Sequence, residues 1–320
     1  MVDQDRPVLV VGGTGALGGQ VVGALRARGK PVRALVRRGS DAGALEGKEV
    51  EVVCGDMMDP ASLGPALDGV DALVTSAVGY TRRRKGDTSL TDTVGNRNLA
   101  DAAKNEGVRR FVFTGILNAH EAPSVPHFWH KKLAEDYLEG IGMPFVSLRP
   151  GAFLDQVMRL MGSGIAKGRL LSIGSPTVPL TYVLSVDVAR CLAEVVNAEG
   201  VEGERIDIGW DRPLSMGEVA RISSNVLGRE IRVRTVPWWL LNLVLGAVGR
   251  FSGQAADIRE MVRYFQSGRY VADVARQRKV FGHVPTAEEG VTRWLQEAGV
   301  APVAGSVAAS TGAGEGQEEV

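Results

Sequence analysis

Short apolar segments alternate with amphipathic segments along the first half of the chain. Residues 7–11 and 71–75 have the length and the Val and Leu content of buried strands, whereas residues 16–28 have the spacing of an amphipathic helix. Strands that alternate with helices in this way are typical of a parallel sheet covered by helices on both faces. The sequence therefore predicts an α/β fold with a doubly wound parallel sheet.

The alternation becomes less regular after the sixth predicted strand, which ends near residue 150. We expect residues 1–152 to form the sheet domain, completed by about residues 183–209, and residues 153–182 and 210–300 to form a small C-terminal α/β lobe. Residues 301–320 are small and polar, which predicts a disordered tail.

A glycine cluster lies between the first predicted strand and the first predicted helix. Residues 12–19 read GGTGALGG and contain the spacing Gly12-x-x-Gly15-x-x-Gly18. Glycine permits a sharp turn and a close approach of the backbone to a diphosphate, which N–H groups at the start of the helix then bind. This context predicts a dinucleotide site of the Rossmann type. The expected contacts are Gly12, Thr14, Gly15, Ala16 and Leu17.

The end of the second predicted strand indicates which dinucleotide binds. Arg37 and Arg38 stand where NAD-binding folds carry an Asp or Glu for the ribose hydroxyls, and the next acid is Asp41. Because guanidinium groups pair with a 2′-phosphate, we predict NADP (NADPH) as the cofactor. The alternative is an ordinary pair of solvated loop residues.

Further cofactor contacts are expected where other strands end, because ligands bind at the carboxyl ends of strands in such sheets. Asp56 and Met57 follow the third predicted strand, where they can meet the adenine edge. Asp56 is equally well explained as a turn residue. The loop after the fourth predicted strand contributes Ser76, Ala77 and Val78.

Several motifs together resemble one superfamily over roughly residues 7–298. They are GGTGALG, the arginines of ALVRR, the Gly-Asp pair after the third strand, RPGAF, SVDVAR and the FQSGRYVAD run. The chain resembles the atypical short-chain dehydrogenase/reductases, particularly their NmrA-like branch. The resemblance implies a Rossmann domain, a C-terminal substrate lobe and an active site between them. It also implies that backbone at Pro150 and Gly151 meets the nicotinamide carboxamide and that Phe153 flanks the ring.

Typical members of that superfamily use a Tyr-x-x-x-Lys pair for proton transfer. Lys131 matches the lysine, but His127 stands where the tyrosine is expected. Either His127 replaces it as the acid and base, or Lys131 acts alone as in isoflavone-reductase-like relatives, or no redox chemistry occurs. Thr114, at the end of the fifth predicted strand, matches the Ser or Thr that relatives place near the substrate oxygen.

The spacing of the polar residues on this helix also has simpler explanations. His127, Lys131 and Glu135 are four residues apart, which places them on one helix face. A surface lysine paired with Glu135 and a histidine that caps the helix would show the same pattern, and β-propensity alone explains Thr114. A second stripe, better suited to packing, consists of Trp129, Leu133 and Tyr137.

Two other segments have ambiguous patterns. Residues 82–85 form a basic run, which fits a solvated loop or a site for a carboxylated substrate or a cofactor phosphate. Residues 237–251 are apolar nearly all round, whereas a membrane-surface helix needs a strongly polar face. We therefore expect a buried helix there, which lines an apolar pocket or forms a dimer contact.

Composition excludes several classes of protein. The formal net charge is zero, which gives no support for nucleic-acid binding. The two cysteines do not make a disulfide framework, and the first residues do not resemble a signal peptide, so we expect a cytoplasmic protein. The sequence contains no run of 18 apolar residues, so it predicts no membrane span. It also lacks the spacing typical of metal ligands, so it predicts no metal site.

These observations predict an NADP-dependent oxidoreductase. Hydride would pass between nicotinamide and a carbonyl, quinone or activated double bond of an apolar or aromatic small molecule, and a homodimer is one assembly open to the protein. Two alternatives remain open: a non-catalytic regulator that senses NADP, and a redox-neutral isomerase or epimerase with bound NAD(P). Lys131, His127 and Thr114 are the candidate catalytic residues.

Overall fold

The computed structural model describes residues 6–45, 47, 49–79, 88–162 and 164–302. The basic run at residues 82–85 and nearly all of the tail expected to be disordered lie outside the described residues.

Seven parallel strands form the central sheet. The strands assigned within the described residues are β1 (Val8–Val11), β2 (Val32–Val36), β3 (Glu51–Cys54), β4 (Ala72–Thr75), β5 (Arg110–Thr114), β6 (Phe145–Pro150), β7 (Ala152–Phe153), β8 (Arg169–Ile173), β9 (Tyr182–Val183), β10 (Glu204–Ile208) and β11 (Arg232–Val236). The order in the sheet is β10-β6-β5-β4-β1-β2-β3, so the chain winds outward in both directions from β1 and β4. The predicted fold class is therefore confirmed.

Helices connect the strands and cover both faces of the sheet. They are α1 (Ala16–Arg26), α2 (Leu63–Leu67), α3 (Asn96–Asn105), α4 (Pro126–Gly140), α5 (Leu154–Met161), α6 (Ser185–Glu194), α7 (Met216–Leu227), α8 (Trp238–Val248), α9 (Gly253–Phe265), α10 (Ala275–Phe281) and α11 (Ala287–Glu297).

The burial of β1 explains why its sequence is an uninterrupted apolar run. Val8 and Val10 belong to the hydrophobic cluster on one face of the sheet, which includes residues of α1 and α6. Leu9 and Val11 belong to the cluster on the other face, which includes residues of α2, α3 and α4. Because successive side chains of a strand alternate in direction, a strand covered on both faces is apolar at every position.

The chain leaves the sheet after β6, returns to it with α6 and β10, and then leaves again. β10 pairs in parallel with β6, and α6 packs along α1. The remaining segments surround a third hydrophobic cluster, which contains Trp210, Tyr270 and Trp294. We call the elements around this cluster, from α5 through β8 and from α7 to α11, the C-terminal lobe.

Two elements differ from the sequence-based expectations. The single helix expected at residues 91–106 is a π-helix at Thr88–Gly95 followed by α3, because Asn96 donates its side-chain amide to the carbonyls of Thr91 and Asp92. The expectation that residues 237–251 line an apolar pocket inside the chain is wrong, because α8 has no buried residue, whereas the alternative of a dimer contact stays a prediction. None of the described helices has the length and apolar character needed to cross a membrane.

Candidate active site

The glycine turn after β1 leaves the start of α1 open. Gly12 adopts a φ of 89°, which favours glycine, and a Cβ on Gly18 would lie 2.0 Å from the Gly12 carbonyl oxygen. The N-cap of α1 is Gly15, which has no side chain to cap the first turn, and Thr14 to Ala16 are exposed. The first-turn N–H groups and the helix dipole therefore suit an anion such as a diphosphate.

The loop after β4 packs directly against this turn. The Ser76 Oγ would lie 3.0 Å from a Cβ on Gly12 and 2.8 Å from one on Gly18. The Ser76 N–H donates to the Val11 carbonyl at 3.0 Å, and the Ala77 N–H donates to the Thr75 hydroxyl at 3.4 Å. Residues 76–78 and the glycine turn therefore form one continuous surface at the carboxyl edge of the sheet.

A cleft of about 440 Å³ lies where β2 and β3 end. Its lining residues are Arg37, Arg38, Gly39, Ser40, Cys54, Gly55, Asp56, Asp59 and Ser62. Both guanidinium groups are exposed and form no ion pair with another described residue. Asp56 accepts a hydrogen bond from the Met58 N–H at 3.0 Å, which is a turn contact, and Met57 is buried against Gly95. The structure thus places two arginines, together with the carboxylates of Asp56 and Asp59, at the adenosine end of the expected cofactor site.

Lys131 is a buried ammonium group at the carboxyl end of β5. Its side chain is 6% exposed, and Nζ donates to the Thr114 carbonyl oxygen at 2.8 Å. Nζ also lies 3.6 Å from Asp92 Oδ1 and 4.9 Å from the centre of the Phe113 ring. The alternative of a surface lysine paired with Glu135 is therefore wrong.

Asp92, on the π-helix, connects Lys131 with the loop after β4. Its carboxylate accepts from the Gly79 N–H at 3.1 Å, and its side chain is fully buried. Burial raises the pKa of the Asp92 carboxyl, and the opposing effects of the Lys131 charge and the Gly79 hydrogen bond do not cancel this increase. Asp92 is thus a buried acid that retains a proton more readily than an exposed aspartate.

His127 is held by a carboxylate from the C-terminal lobe. Its Nδ1 is hydrogen-bonded to Asp257 of α9, and its backbone N–H donates to Asp257 Oδ2 at 3.1 Å. Both side chains are buried. Because an ionised carboxylate only accepts, Nδ1 carries the proton in this pair, which places the second ring nitrogen in the acceptor form unless the ring is charged. The alternative of a surface capping histidine is wrong.

Glu135 has its own partners on the sheet. Arg149 pairs with its carboxylate, with Nε donating to Oε1 at 3.0 Å, and the Ser147 hydroxyl also donates to it. The buried face of α4 is therefore the one that carries His127, Lys131 and Glu135, whereas the apolar stripe of Trp129, Leu133 and Tyr137 is only partly buried. The Glu135 carboxylate thus has a partner of opposite charge, which compensates for its desolvation.

Thr114 and the segment after β6 border the same region. The Thr114 Oγ1 is buried and has no hydrogen-bond partner among the described residues. The N–H groups of Gly151 and Ala152 already donate to the carbonyls of Ile208 and Thr181, so these two groups are not open to a nicotinamide amide. Phe153 packs against the cluster that contains α1.

Sequence reasoning missed Asp92 and Asp257. Asp257, Met261 and Tyr264 share one face of α9 by their spacing, so an acid within an otherwise apolar stripe was a detectable signal. No comparable signal marks Asp92, because its burial depends on the π-helix, which periodicity does not predict.

Comparisons with known proteins agree with this architecture. The model of the NmrA-like family matches residues 4–283. The photosystem II assembly factor Ycf39 of Synechocystis is 27% identical over 297 residues, covering 91% of this chain and 90% of its own. The NAD(P)H azoreductase of Xenophilus azovorans is 31% identical over 230 residues, covering 70% and 75%. An NADPH-dependent quinone oxidoreductase from Escherichia coli, solved with NADPH, superimposes with a TM-score of 0.74 at 22% identity, covering 91% and 99%.

Proposed function

This chain belongs to the NmrA-like family, and we propose that it is an NADPH-dependent oxidoreductase acting on an apolar or aromatic small molecule. The observation that carries this proposal is the pair of buried polar groups one helical turn apart on α4: Lys131 at the end of β5, and His127 held by Asp257. The relatives named as an azoreductase and as a quinone oxidoreductase support the same class of reaction.

The donor groups at the carboxyl edge of the sheet fit NADPH. The exposed N–H groups around Gly15 would bind the diphosphate, and Arg37 and Arg38 would bind the 2′-phosphate from the rim of their cleft. Ser76 to Val78 would line the dinucleotide between these two ends. NADPH, when bound, supplies the hydride that reduces the substrate.

Within this site Lys131 would orient the nicotinamide ribose and maintain a positive charge near the reacting oxygen. Its ammonium is already oriented by the Thr114 carbonyl and by Asp92, so little reorganisation accompanies the reaction. His127, in its protonated form, would donate a proton to the reduced substrate, and Asp257 would fix the ring and stabilise its charge. The Thr114 hydroxyl, which has no partner in the part of the chain that the structure describes, would donate a hydrogen bond to the substrate oxygen.

The side chains beside His127 hold its ring in place. The ring centre of His127 lies 4.7 Å from that of Phe128, which packs against Tyr264 and Tyr270 at 6.0 and 5.8 Å, and all three of these aromatic rings are buried. The preference for an apolar or aromatic substrate, such as a quinone or an azo dye, is therefore supported by the relatives named as an azoreductase and as a quinone oxidoreductase, and not by an exposed aromatic wall.

The test is NADPH oxidation by the purified full chain across a panel of quinones, azo dyes and aromatic ketones. We expect turnover with at least one class, and at least about a 100-fold loss of kcat in Lys131→Met, since acid–base groups typically contribute 10²–10⁴-fold. Tight binding of NADPH without oxidation across the panel would contradict the proposal.

A specific observation favours one other candidate, a cofactor-binding protein without turnover. His127 replaces the tyrosine expected at this place, and the Synechocystis relative, which covers 91% of this chain, is named an assembly factor. In that case NADPH would still stabilise the fold, but Lys131→Met would leave any biological effect unchanged. NADPH oxidation by the wild type and the effect of Lys131→Met therefore distinguish the two candidates.

A further inference from the structure

Helix α8 presents an apolar stripe to the outside of the molecule. Trp239, Leu243 and Phe251 are 68%, 67% and 92% exposed. Other exposed apolar residues on the stripe are Leu240, Val244 and Val248. Trp239 and Leu243, like Leu240, Val244 and Val248, are spaced by four residues and so share one side of the helix, and Phe251 extends the stripe from the turn after α8. Most soluble proteins do not expose contiguous apolar surface of this kind without a binding role.

The opposite side of α8 is already covered by α9. A Cβ on Gly249 would lie 3.3 Å from the Cα of Ala256, so the two helices approach closely. Arg259 of α9 donates through Nε to the Asn242 side chain of α8 at 2.8 Å. The side of α8 that faces away from the stripe therefore packs on α9 and needs no polar residues. An apolar sequence on all sides is then compatible with a membrane-surface helix.

The segment that contains the stripe carries only positive charges. From Ile231 to Ala256 the sequence contains Arg232, Arg234 and Arg250 and no acidic residue. Arg232 is paired with Glu230, whereas Arg250 is exposed and directly precedes the most exposed residue of the stripe, Phe251. The surface thus combines apolar side chains with cationic groups, as anionic lipid surfaces require of a binding partner.

A second copy of the chain fits this surface less well. A two-fold dimer would place the same patch of each copy face to face, and so bring like-charged arginines together with no acid in the segment to pair with them. An anionic bilayer offers the opposite charge along the entire stripe. Trp239, at the beginning of the helix, is also of the residue type enriched at the boundary between lipid and water.

We propose that α8 is a membrane-surface helix, which inserts its exposed stripe into the headgroup boundary of an anionic bilayer. With 11 residues it is about 16 Å long, so it lies along the surface and does not span the bilayer. The proposal does not depend on NADPH or on turnover.

The test is co-sedimentation of the full chain with phosphatidylcholine vesicles and with vesicles that also contain phosphatidylglycerol. We expect binding to the anionic vesicles that weakens with added salt, and at least about a 10-fold weaker affinity for Leu243→Glu, because that change removes one inserted apolar side chain. Arg250→Gln should reduce the preference for anionic vesicles. Val186→Glu, at an exposed valine on α6, is the control and should bind as the wild type does.

NADPH binding and circular dichroism of each variant verify that the fold is intact. The proposal is overturned if the wild type binds neither type of vesicle, or if Leu243→Glu binds as well as the wild type. It is also overturned if light scattering shows a dimer that Leu243→Glu converts to a monomer while vesicles bind neither protein, since the stripe would then be an interface between copies.

Discussion

His127 on α4 is hydrogen-bonded through Nδ1 to Asp257 on α9, 130 residues further along the chain. The first residue belongs to a helix that packs on the sheet, and the second belongs to the C-terminal lobe. The orientation of the imidazole therefore depends on how the lobe is placed.

Asp257→Asn tests this relationship. We expect kcat to fall by about 10–100-fold, because the imidazole loses both the acceptor that orients it and the charge that stabilises its protonated form. The KM for NADPH should change little, because Asp257 contacts His127 and not the glycine turn. Asp187→Asn, which removes a carboxylate paired with Arg293 on α11, should change kcat much less. An unchanged kcat in Asp257→Asn would exclude the proposed role.

Lys131 and its neighbour Lys132 form a matched pair of variants. Lys132 pairs on the surface with Asp136, so Lys132→Met should change kcat less than twofold, because exposed ion pairs contribute little. Lys131→Met should lose about 100-fold or more, since it removes a buried charge at the site. Steady-state NADPH oxidation measures both. Equal effects in the two variants would remove Lys131 from the mechanism.

The arginines that line the cleft should determine the choice of cofactor. Arg37→Ala and Arg38→Ala should together raise the Kd for NADPH by about 10–100-fold, because hydrogen bonds to charged groups contribute about 1.5–3 kcal/mol. The Kd for NADH should change little, since NADH lacks the 2′-phosphate. Fluorescence titration with both nucleotides gives the comparison. An equal loss of affinity for NADPH and for NADH would show that the arginines act on the fold and do not contact the 2′-phosphate.

Replacement by alanine should have opposite effects at two glycines of α1. A Cβ on Gly18 would lie 2.0 Å from the Gly12 carbonyl oxygen, so Gly18→Ala should displace the turn and abolish NADPH binding. Gly23 has no heavy atom within 4 Å of such a Cβ. Gly23→Ala should therefore stabilise the helix by about 0.5–1 kcal/mol without changing the affinity. Urea unfolding and nucleotide titration test both, and normal NADPH binding by Gly18→Ala would contradict the assignment of the turn.

His130 should make the stability of the protein depend on pH. Burial lowers the pKa of its imidazole, and the opposing charges of Asp92 and Asp257 do not offset this. Between the lowered value and the ordinary 6.5 the unfolded chain binds more protons than the folded one, so stability is lost as the pH falls through that range. In His130→Gln the free energy of unfolding should vary less with pH below 6.5. Urea titrations at several pH values provide the measurement, and an equal slope in both proteins would contradict it.

The succession of strands and helices along the chain and the glycine turn were predictable because they depend on local patterns. The apolar run of β1 reflects its burial, and the glycines of the turn reflect the backbone geometry there, so residue type alone indicates both features. The position of Lys131 followed from the motif resemblance and not from spacing, which fitted a pair with Glu135 equally well.

The partners of the site residues were not predictable in the same way. Asp257 reaches His127 only because α9 folds back onto α4, and Asp92 reaches Lys131 only because the π-helix shifts it by part of a turn. The exposure of α8 was missed for a similar reason. An apolar sequence indicates that a helix is covered from water, but it does not indicate which surface covers it.

The return of the chain to the central sheet limits how the molecule can be divided. A fragment ending at residue 152 would lack α6 and β10, so β6 would become an open edge and α1 would expose the face that packs on α6. A single cut anywhere between β6 and β10 therefore yields two pieces with unpaired backbone or uncovered apolar surface. Fusion proteins and chimaeras built from this chain must exchange the lobe as two inserts, with α6 and β10 retained between them.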